Sequence, residues 1–408
     1  MPQYLSPGVY VEYVPPASLP IAGVATSVAG FIGVVADNDD FKMPDQPGQF
    51  QTDNEGNPVL DDEGNPVPAP YKLATAGEPT LITSWEEFKT KFGDFQEGNK
   101  ILAHAVYGFF FNGGSRCYVL RVAAATDIDD NLVELEKFET EDEITIVAVP
   151  GAISQTQHTA IIAHCAKMGD RVAILDGDAD DKKPVDVDVI RPVGRSQQAS
   201  YAAIYYPWIK VFDPVSNAPD TTIIIPPSGH LAGIYARNDA TRGVFKAPAN
   251  EVIVNALDVS RPISKAQQDG LNPEGINVIR SFKGTIKVWG ARTMADDANA
   301  DFRYVSTRRY FNYLQESIDD GTQFAVFEPN NLALWQRIKR TVGDFLLNEW
   351  RDGALFGETP EQAFFVKCDA ETNPKEVREL GQVVALIGVA IVKPAEFVIF
   401  RIQQTAGE

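Results

Sequence analysis

The residues of this 408-residue sequence whose types most suggest catalysis are a serine and a histidine two positions apart. Ser228 and His230 are the residue types of a nucleophile and its general base, so a hydrolase that uses this pair is one hypothesis. Proximity in sequence does not make a catalytic triad, and the G-x-S-x-G motif that presents a nucleophilic serine does not occur. Structural roles for both residues are the favoured interpretation, and no catalytic residue is predicted.

The sequence contains only weak signals for a bound metal or cofactor. The four histidines are scattered along the chain: His104, His158, His164 and His230. The loop at 176–181 alternates carboxylates as calcium loops do, but Asp181 replaces the glycine of the sixth position and Val187 the glutamate of the twelfth. Neither G-x-x-x-x-G-K-[ST] nor G-x-G-x-x-G occurs. We therefore expect a solvated loop at 176–181, no bound metal and no cofactor.

Composition narrows the class of protein. Hydrophobic residues make up 44% and charged residues 23% of the sequence, as in ordinary soluble proteins. No apolar run approaches the roughly 18 residues of a membrane span, and no secretion signal is recognisable, so membrane insertion is not expected. Cys117, Cys165 and Cys368 are odd in number and widely spaced. This pattern predicts reduced core cysteines in a protein made in the cytoplasm.

The net charge of −20 is unevenly distributed. Residues 281–408 carry 18 acidic and 15 basic side chains, so residues 1–280 hold a net charge of −17. A nucleic-acid partner is not expected, because phosphate binding needs a concentrated basic surface. The nearly neutral C-terminal third is easier to bury against other molecules than the acidic remainder.

The elements that would position these residues alternate between strands and helices. Residues 24–35 form an apolar, Gly-punctuated stretch typical of a buried strand. A strand at 144–149, a helix at 155–167 and a strand at 171–175 predict a βαβ unit and a mostly parallel sheet. Further elements are predicted in the same half: a helix after the N-cap Ser84, a helix at 101–111 and a strand at 117–123.

Residues 37–70 are polar and rich in Pro and Gly. They contain a tandem repeat of eight residues, DNEGNPVL at 53–60 and DDEGNPVP at 61–68. Two copies are too few for a solenoid, and each Gly-Asn-Pro is a turn signal. We predict a protruding surface loop or hairpin.

The C-terminal third has its own elements. Helices are predicted at 302–318 and 332–350, with a short strand at 325–327 between them. In the second helix, Trp335, Ile338, Val342 and Phe345 form the apolar face. A last helix is predicted from Asn373-Pro374 to about residue 387.

Both ends of the sequence carry short strand patterns that are apolar on both faces. The first, at 8–14, contains the following residues: Val9, Tyr10, Val11, Glu12 and Tyr13. The second, at 396–402, contains these: Phe397, Val398, Ile399, Phe400 and Arg401. A strand that is apolar on both faces needs cover on both. Two interpretations stay open: arms that add to sheets of neighbouring subunits, or strands that close a sheet of their own chain.

Several longer stretches resemble one protein family. The start, YLSPGVYVEYV, followed by ATSVAGFIGV and LITSWEEFKTKFG, is similar to the opening of contractile tail sheath proteins. The resemblance is denser in AAIYYPWIKV, PPSGHLAGIYARNDATRGVFKAPAN and LNPEGINVIRSFKGTIKVWGART. It continues through RRYFNYLQESIDDGTQFAVFEPN and RDGALFGETPEQAFFVKCD to VKPAEFVIFRI. Only the repeat at 53–68 and the stretch at 127–143 lack the family pattern.

The resemblance implies a mixed α/β subunit with a structural rather than an enzymatic role. Its expected parts are an N-terminal arm and linker at 1–22, an outer α/β domain of subtilisin-like topology at 23–270 with a decorated loop at 37–70, an inner C-terminal domain at 271–390 and a C-terminal arm at 391–408. Sheath proteins of this family stack as six-membered rings around an inner tube and contract to drive the tube into a target. Arms of neighbouring subunits insert into one another's inner-domain sheet, which favours the first interpretation of the terminal strands.

The resemblance also implies partners. These are further copies of the chain, an inner tube protein, and baseplate and terminal cap proteins, assembled in the bacterial cytoplasm into a phage virion or a phage-like injection particle. Because the family uses an inner-domain helix to contact the tube, Arg337, Lys339 and Arg340 on the helix at 332–350 are candidate tube contacts. An ordinary solvated face beside Asp344 and Glu349 is the alternative. Two competing classes remain: an α/β hydrolase, and a monomeric binding module, which the apolar termini disfavour.

Overall fold

The structure is a computed structural model that describes residues 20–124, 128, 132–180, 182–216 and 221–399. The described residues fall into two compact units. The large unit contains residues 24–314 and 393–399, and the small unit contains residues 20–23 and 315–392. The expected division after residue 270 differs from this one, because strands at 202–206 and 276–282 are hydrogen-bonded neighbours in one sheet.

The large unit contains these described strands: β1 (Ala29–Val34), β2 (Asp45–Phe50), β3 (Pro68–Pro70), β4 (Thr80–Ile82), β5 (Cys117–Val122), β6 (Ile146–Ala148), β7 (Val172–Asp176), β8 (Ala202–Tyr206), β9 (Ile209–Phe212), β10 (Thr222–Ile225), β11 (Glu251–Val252), β12 (Asp258–Val259), β13 (Ile276–Phe282) and β14 (Thr285–Val288). Its helices are α1 (Trp85–Phe92), α2 (Lys100–Phe111), α3 (Gln155–Met168), α4 (Val187–Ile190), α5 (Ser228–Arg242) and α6 (Lys265–Leu271). Helix α7 (Val305–Thr322) includes residues of both units. The small unit contains α8 (Leu332–Arg351), α9 (Pro360–Ala363), β15 (Phe364–Lys367), α10 (Lys375–Glu379) and β16 (Leu386–Val389).

Nine of the described strands of the large unit build a mostly parallel sheet in the order β11-β14-β13-β8-β7-β6-β1-β5-β4, while β10-β9-β12 and β2-β3 form two smaller sheets. The run from β13 to β5 is parallel throughout. Strands β4, β14 and β11 pair antiparallel towards the two edges. The predicted α/β class is confirmed, as is the βαβ unit, because β6 and β7 are parallel neighbours joined through α3.

The sheet is buried on both faces, which explains the long apolar run at 24–35. On β1, Phe31 points into one core together with side chains of α2 and α5, and Ile32 points into the other together with side chains of α3. Alternate residues of a strand face opposite sides, so cover on both sides requires apolar residues at successive positions. The expectation of a buried strand is confirmed.

Local sequence signals set several helix ends. The Ser84 hydroxyl accepts a hydrogen bond from the Glu87 backbone N–H at 3.1 Å and caps α1 as predicted. Ser154 and Gln157 form a reciprocal capping box at the start of α3. Helix α2 ends at Phe111, immediately before Asn112-Gly113, as the glycines indicated.

The tandem repeat forms an exposed hairpin between β2 and β3, which confirms the predicted protrusion. Residues at eight-residue intervals close a triangle of backbone hydrogen bonds. The Gln51 N–H donates to the Val67 carbonyl at 2.9 Å, Val67 donates to Val59 at 2.8 Å, and Val59 donates to Gln51 at 2.8 Å. Each repeat turns in the same way, because Asp53 and Asp61 each accept backbone N–H groups from the residues two and four positions later.

Two predicted elements of the small unit are wrong. The strand at 325–327 is instead the end of a 3-10 turn, Gln323–Ala325, followed by Phe327 with a left-handed φ of 64°. The helix predicted to extend to about residue 387 ends at Glu379. Gly381 takes a positive φ of 71°, which glycine adopts at little cost, and the chain then enters β16.

Candidate assembly interface

Ser228 lies at the start of α5 and is completely buried. Its hydroxyl donates a hydrogen bond of 2.7 Å to the carboxylate of Asp176, and its backbone N–H donates another of 3.0 Å. The Gly151 N–H donates a third, of 3.1 Å. Asp176 ends β7 and is buried, so the expectation of a solvated loop is wrong for this first residue of 176–181. Burial raises the pKa of Asp176 to about 6, against the effect of these hydrogen bonds.

His230 does not serve Ser228 as a base. Its ring lies against Gly108 of α2, so close that a Cβ on that glycine would lie 2.1 Å from Nδ1. Neither ring nitrogen has a hydrogen-bond partner among the described residues. Burial lowers the pKa of His230 to about 3, which keeps the imidazole neutral. Ser228 therefore has no histidine base beside it and no access to solvent, and the geometry does not support the hydrolase hypothesis.

The remaining titratable groups singled out by the sequence occupy structural positions. His104, His158 and His164 are buried, and burial lowers the pKa of each to about 4. All three cysteines are free and buried, as predicted. Within the part of the chain that the structure describes, no cluster of His, Cys, Asp or Glu could hold a metal ion. No helix among the described residues is long and apolar enough to cross a membrane.

The small unit carries a two-stranded antiparallel sheet of β15 and β16, and α8 packs against β15. The Ala390 N–H donates to the Ala363 carbonyl at 2.8 Å, which makes these two residues a hydrogen-bonded pair. From this pair onwards, hydrogen-bonded and non-hydrogen-bonded residue pairs alternate along the two antiparallel strands. By this alternation the backbone groups of four residues point away from the partner strand: Phe364 and Val366 on β15, and Ile387 and Val389 on β16. Among the described residues no third strand pairs with either edge.

The sequence analysis did not predict this pair of open edges, because it assigned no strand to β15 and extended the last helix into the first half of β16. The run Val383 to Val389 contained the signal, since it is rich in β-branched residues and includes Gly388. An open strand edge is a template for pairing with another chain.

The strongest contact of the C-terminal segment with the rest of the large unit is made by Glu396. The carboxylate of Glu396 pairs with the guanidinium of Arg292, with Nε–Oε1 at 2.9 Å and Nη2–Oε2 at 2.8 Å. Asn272 donates to Oε1 at 2.7 Å and the Tyr304 hydroxyl to Oε2 at 2.9 Å. Burial opposes ionisation of Glu396, but these hydrogen bonds outweigh it and hold its pKa below the usual value.

The residues that follow Glu396 are exposed. Phe397, Val398 and Ile399 expose 70%, 70% and 78% of their surface, and the described part of the chain contains no strand at these positions. Exposing three neighbouring apolar side chains to water is unfavourable in free energy, so binding of a partner that covers them would be favourable. The other candidate arm residues lie outside the described residues: Val9, Tyr10, Val11, Glu12, Tyr13, Phe400 and Arg401.

The chain that leads into β1 is also fixed by an ion pair. Arg309 of α7 and Asp239 of α5 form a buried pair with a closest distance of 2.6 Å. The Thr26 carbonyl accepts a hydrogen bond of 2.7 Å from Arg309, and its hydroxyl donates one of 2.7 Å to Asp239. Residues close to both terminal segments are thus held to the large unit by an arginine–carboxylate pair.

The candidate tube-contact residues differ in their surroundings. Lys339 and Arg340 are exposed on α8. Arg337 is half-buried and stacks on Phe324, with its guanidinium carbon 4.1 Å from the ring centroid. The predicted apolar face of α8 is confirmed, since all four of its residues are buried. Only Lys339 and Arg340 of the three therefore present their charge on the open face of the helix.

Known proteins resemble the chain along most of its length. The phage tail sheath protein central domain matches residues 123–294, and the phage tail sheath C-terminal domain matches residues 297–405. The helical sheath of the anti-feeding prophage in its contracted state is 30% identical, with a TM-score of 0.72 over 98% of this chain and 99% of that one. The PVC sheath complex of an extracellular contractile injection system, also contracted, is 28% identical with a TM-score of 0.71 over 99% of both chains.

Curated relatives match over a shorter region. The tail sheath protein of Burkholderia phage BcepMu is 29% identical over 209 residues, which is 49% of this chain and 42% of that protein. The tail sheath protein of Vibrio phage KVP40 is 27% identical over 186 residues, or 27% of its length. The aligned part of the chain thus spans less than half the length of these two relatives.

The fold and the matches together define a structural component of a contractile particle. The chain belongs to the phage tail sheath protein family. It is a structural protein of the contractile sheath of a phage or of a phage-like injection system.

Proposed function

We propose that the chain polymerises as stacked hexameric rings around an inner tube and that contraction of this sheath drives the tube into a target envelope. The observation that carries the proposal is that, within the described part of the chain, no strand pairs with the outer edge of β15 or of β16 in the small unit. A strand with unpaired backbone groups gains hydrogen bonds when another chain adds to it. The exposed apolar residues Phe397, Val398 and Ile399 offer a segment of the same chain suited to that role.

In this proposal the N-terminal and C-terminal arms of neighbouring subunits add to β15 and β16. One acceptor sheet and two donor arms per subunit make each contact heterologous, and heterologous contacts repeat into rings and helices. Pro-containing linkers of roughly ten residues can span about 30 Å when extended. Neighbouring subunits can then rotate during contraction without breaking the strand pairs. We infer that the extended sheath is kinetically trapped and that contraction releases stored free energy.

The proposed partners follow from the same role. They are further copies of the chain, an inner tube, and the baseplate and terminal cap proteins at the two ends of the sheath, all assembled in the bacterial cytoplasm. A match to the six-fold symmetrised baseplate structure of the anti-feeding prophage, 30% identical over 99% of this chain, supports the hexameric arrangement and the baseplate contact. We assign no catalytic role, because Ser228 and His230 are enclosed in the core.

Deletion of residues 1–16 tests the proposal. The truncated chain should fold but sediment as a small species, because in this proposal the removed arm pairs with a neighbouring subunit. Deletion of residues 53–68, which is equal in length and lies in the exposed hairpin, is the control and should leave polymerisation intact. Normal sheaths in electron micrographs of the first variant would reject the proposed exchange of arms.

A further inference from the structure

Glu396 occupies a complete binding site for a carboxylate. Each of its two oxygens accepts two hydrogen bonds, at distances from 2.7 to 2.9 Å, from the group we call the cradle: Arg292, Asn272 and Tyr304. Its side chain is 19% exposed and that of Arg292 is 12% exposed. A bidentate pair of this kind, partly shielded from water, is much stronger than an ordinary surface ion pair.

The cradle is itself rigid. The buried amide of Asn277, on β13, accepts from the Arg292 N–H at 2.7 Å and donates to the Arg292 carbonyl at 2.7 Å. The Arg292 guanidinium also donates to the Asn272 carbonyl at 3.1 Å. The donors are therefore held in place by the sheet, so Glu396 binds to a preformed site and loses less conformational entropy on binding.

The residues on either side of Glu396 are held much less firmly. Lys393 pairs with Asp301 at 3.3 Å, but both side chains are exposed, at 51% and 92%. After Glu396 the chain becomes exposed at once, beginning with Phe397. The strong contact thus stands at the junction between the bound segment and the first residue of the candidate arm strand.

We propose that Glu396 and its cradle clamp the C-terminal arm to its own subunit and fix the point from which the exchanged strand departs. This inference rests on the proposed exchange of arms. With Glu396 held, residues 397–402 can reach about 20 Å from a fixed origin. A fixed origin raises the effective concentration of the strand at a neighbouring acceptor and limits which neighbour it can reach. Without the clamp, the tether lengthens and the same strand searches a larger volume.

The first test is limited proteolysis of the full chain with chymotrypsin, which cleaves after Phe397. The protease needs the flanking residues in an extended conformation, so Glu396 must leave its cradle before cleavage. In Glu396→Ala, cleavage after Phe397 should be at least about tenfold faster than in the parent, because four hydrogen bonds are lost together. Lys393→Ala, which removes only the exposed pair, is the matched control and should leave the cleavage rate unchanged. Equal cleavage rates in Glu396→Ala and the parent would overturn the clamp, as would equal acceleration in Lys393→Ala.

A second variant guards against misfolding. Tyr304→Phe removes one hydroxyl and keeps the ion pair, so it should fold normally and accelerate cleavage after Phe397 by a smaller factor, about threefold. If this variant leaves the cleavage rate unchanged while Glu396→Ala fails to fold, the clamp is rejected.

Assembly kinetics separate the clamp from the proposed function. Glu396→Ala should lengthen the half-time of sheath formation at least about fivefold, as expected when a tethered strand loses its fixed origin. Faster proteolysis with unchanged assembly would overturn the role of the clamp in exchange of arms. Failure of the unaltered chain to form any polymer would instead reject the proposed function, and the proteolysis rate would still report whether Glu396 holds the segment.

Discussion

Ser228 and Asp176, 52 residues apart in the sequence, form a buried pair in which the hydroxyl and the backbone N–H of Ser228 each donate to a different carboxylate oxygen. This contact joins the end of β7 to the start of α5. Ser228, which the sequence offered as a candidate nucleophile, therefore has a structural role. Removing its hydroxyl should lower the stability of the fold.

Ser228→Ala should lower the free energy of unfolding by about 1–3 kcal/mol, because the buried carboxylate loses one of its donors. Ser115→Ala, at an exposed position, should change it by less than about 0.5 kcal/mol. Urea denaturation at neutral pH measures both. A fluorophosphonate probe should not label the unaltered chain, and labelling at Ser228 would revive the hydrolase hypothesis.

Two glycine-to-alanine changes should have opposite signs. Gly233 of α5 approaches the Phe109 carbonyl of α2 so closely that a Cβ would lie 2.3 Å from it, so Gly233→Ala should destabilise the large unit by about 1–3 kcal/mol. Gly343 lies inside α8 with no atom within 4 Å of its ideal Cβ, so Gly343→Ala should stabilise the small unit by about 0.5–1 kcal/mol. Calorimetry of both variants checks the signs. Stabilisation by Gly233→Ala would show that the helices can separate without cost.

Acidification should destabilise the large unit through its buried histidines. Burial lowers the pKa of His104, His158 and His164 from 6.5 to about 4 and that of His230 to about 3. The unfolded chain therefore binds more protons than the folded chain below pH 6.5. The free energy of unfolding should fall as pH drops from 6.5 to 4, by about 1.4 kcal/mol per pH unit for each histidine.

Asp176 opposes this trend. Because burial raises its pKa from 3.8 to about 6, its folded form holds the extra proton, and its contribution to stability is lost as pH rises between these values. Between pH 4 and 6, Asp176 cancels the pH dependence that about one of the four histidines gives to the free energy of unfolding. Urea midpoints between pH 7.5 and 4.5 measure the sum, and His164→Leu should flatten the slope. A midpoint independent of pH over this range would contradict the prediction.

The outer edge of β15 can be blocked with one substitution. Val366→Pro removes an N–H that points away from β16 and should prevent polymerisation if an arm pairs there, while the fold of the subunit persists. Val366→Thr keeps the N–H and the branched shape and should polymerise normally. Sedimentation and circular dichroism report assembly and folding separately. Normal polymers of the proline variant would show that this edge accepts no strand.

Charge reversal on α8 tests the contact with the inner tube. Lys339→Glu with Arg340→Glu should weaken co-assembly with an acidic tube surface several-fold at low salt, and 0.5 M salt should remove most of the difference from the parent. Lys375→Glu, on the exposed surface of α10, is the control. Arg337 is left unchanged, because its replacement would also remove its packing on Phe324. Co-assembly unaffected by the double change would favour the ordinary solvated face.

Local patterns in the sequence determined much of the architecture. The apolar run at β1, the caps of α1 and α3, and the apolar stripe of α8 each follow from neighbouring residues, because caps and periodicity act over one or two turns. The repeat at 53–68 likewise specified its turns through Asp53 and Asp61. The family resemblance came from whole stretches of sequence and covered both the large and the small unit.

Contacts between distant residues were decided only by the tertiary structure. Glu396 meets Arg292 across 104 positions, and Ser228 meets Asp176 across 52, and neither pairing has a local signature. Strand β16 was misassigned because its apolar residues suit a helix or a strand, and pairing with β15 decides between them. The sequence patterns at 8–14 and 396–402 predict apolar strands, but the place where the segment at Glu396 is held depends on a cradle that only folding assembles, since its members come from three separate segments of the large unit.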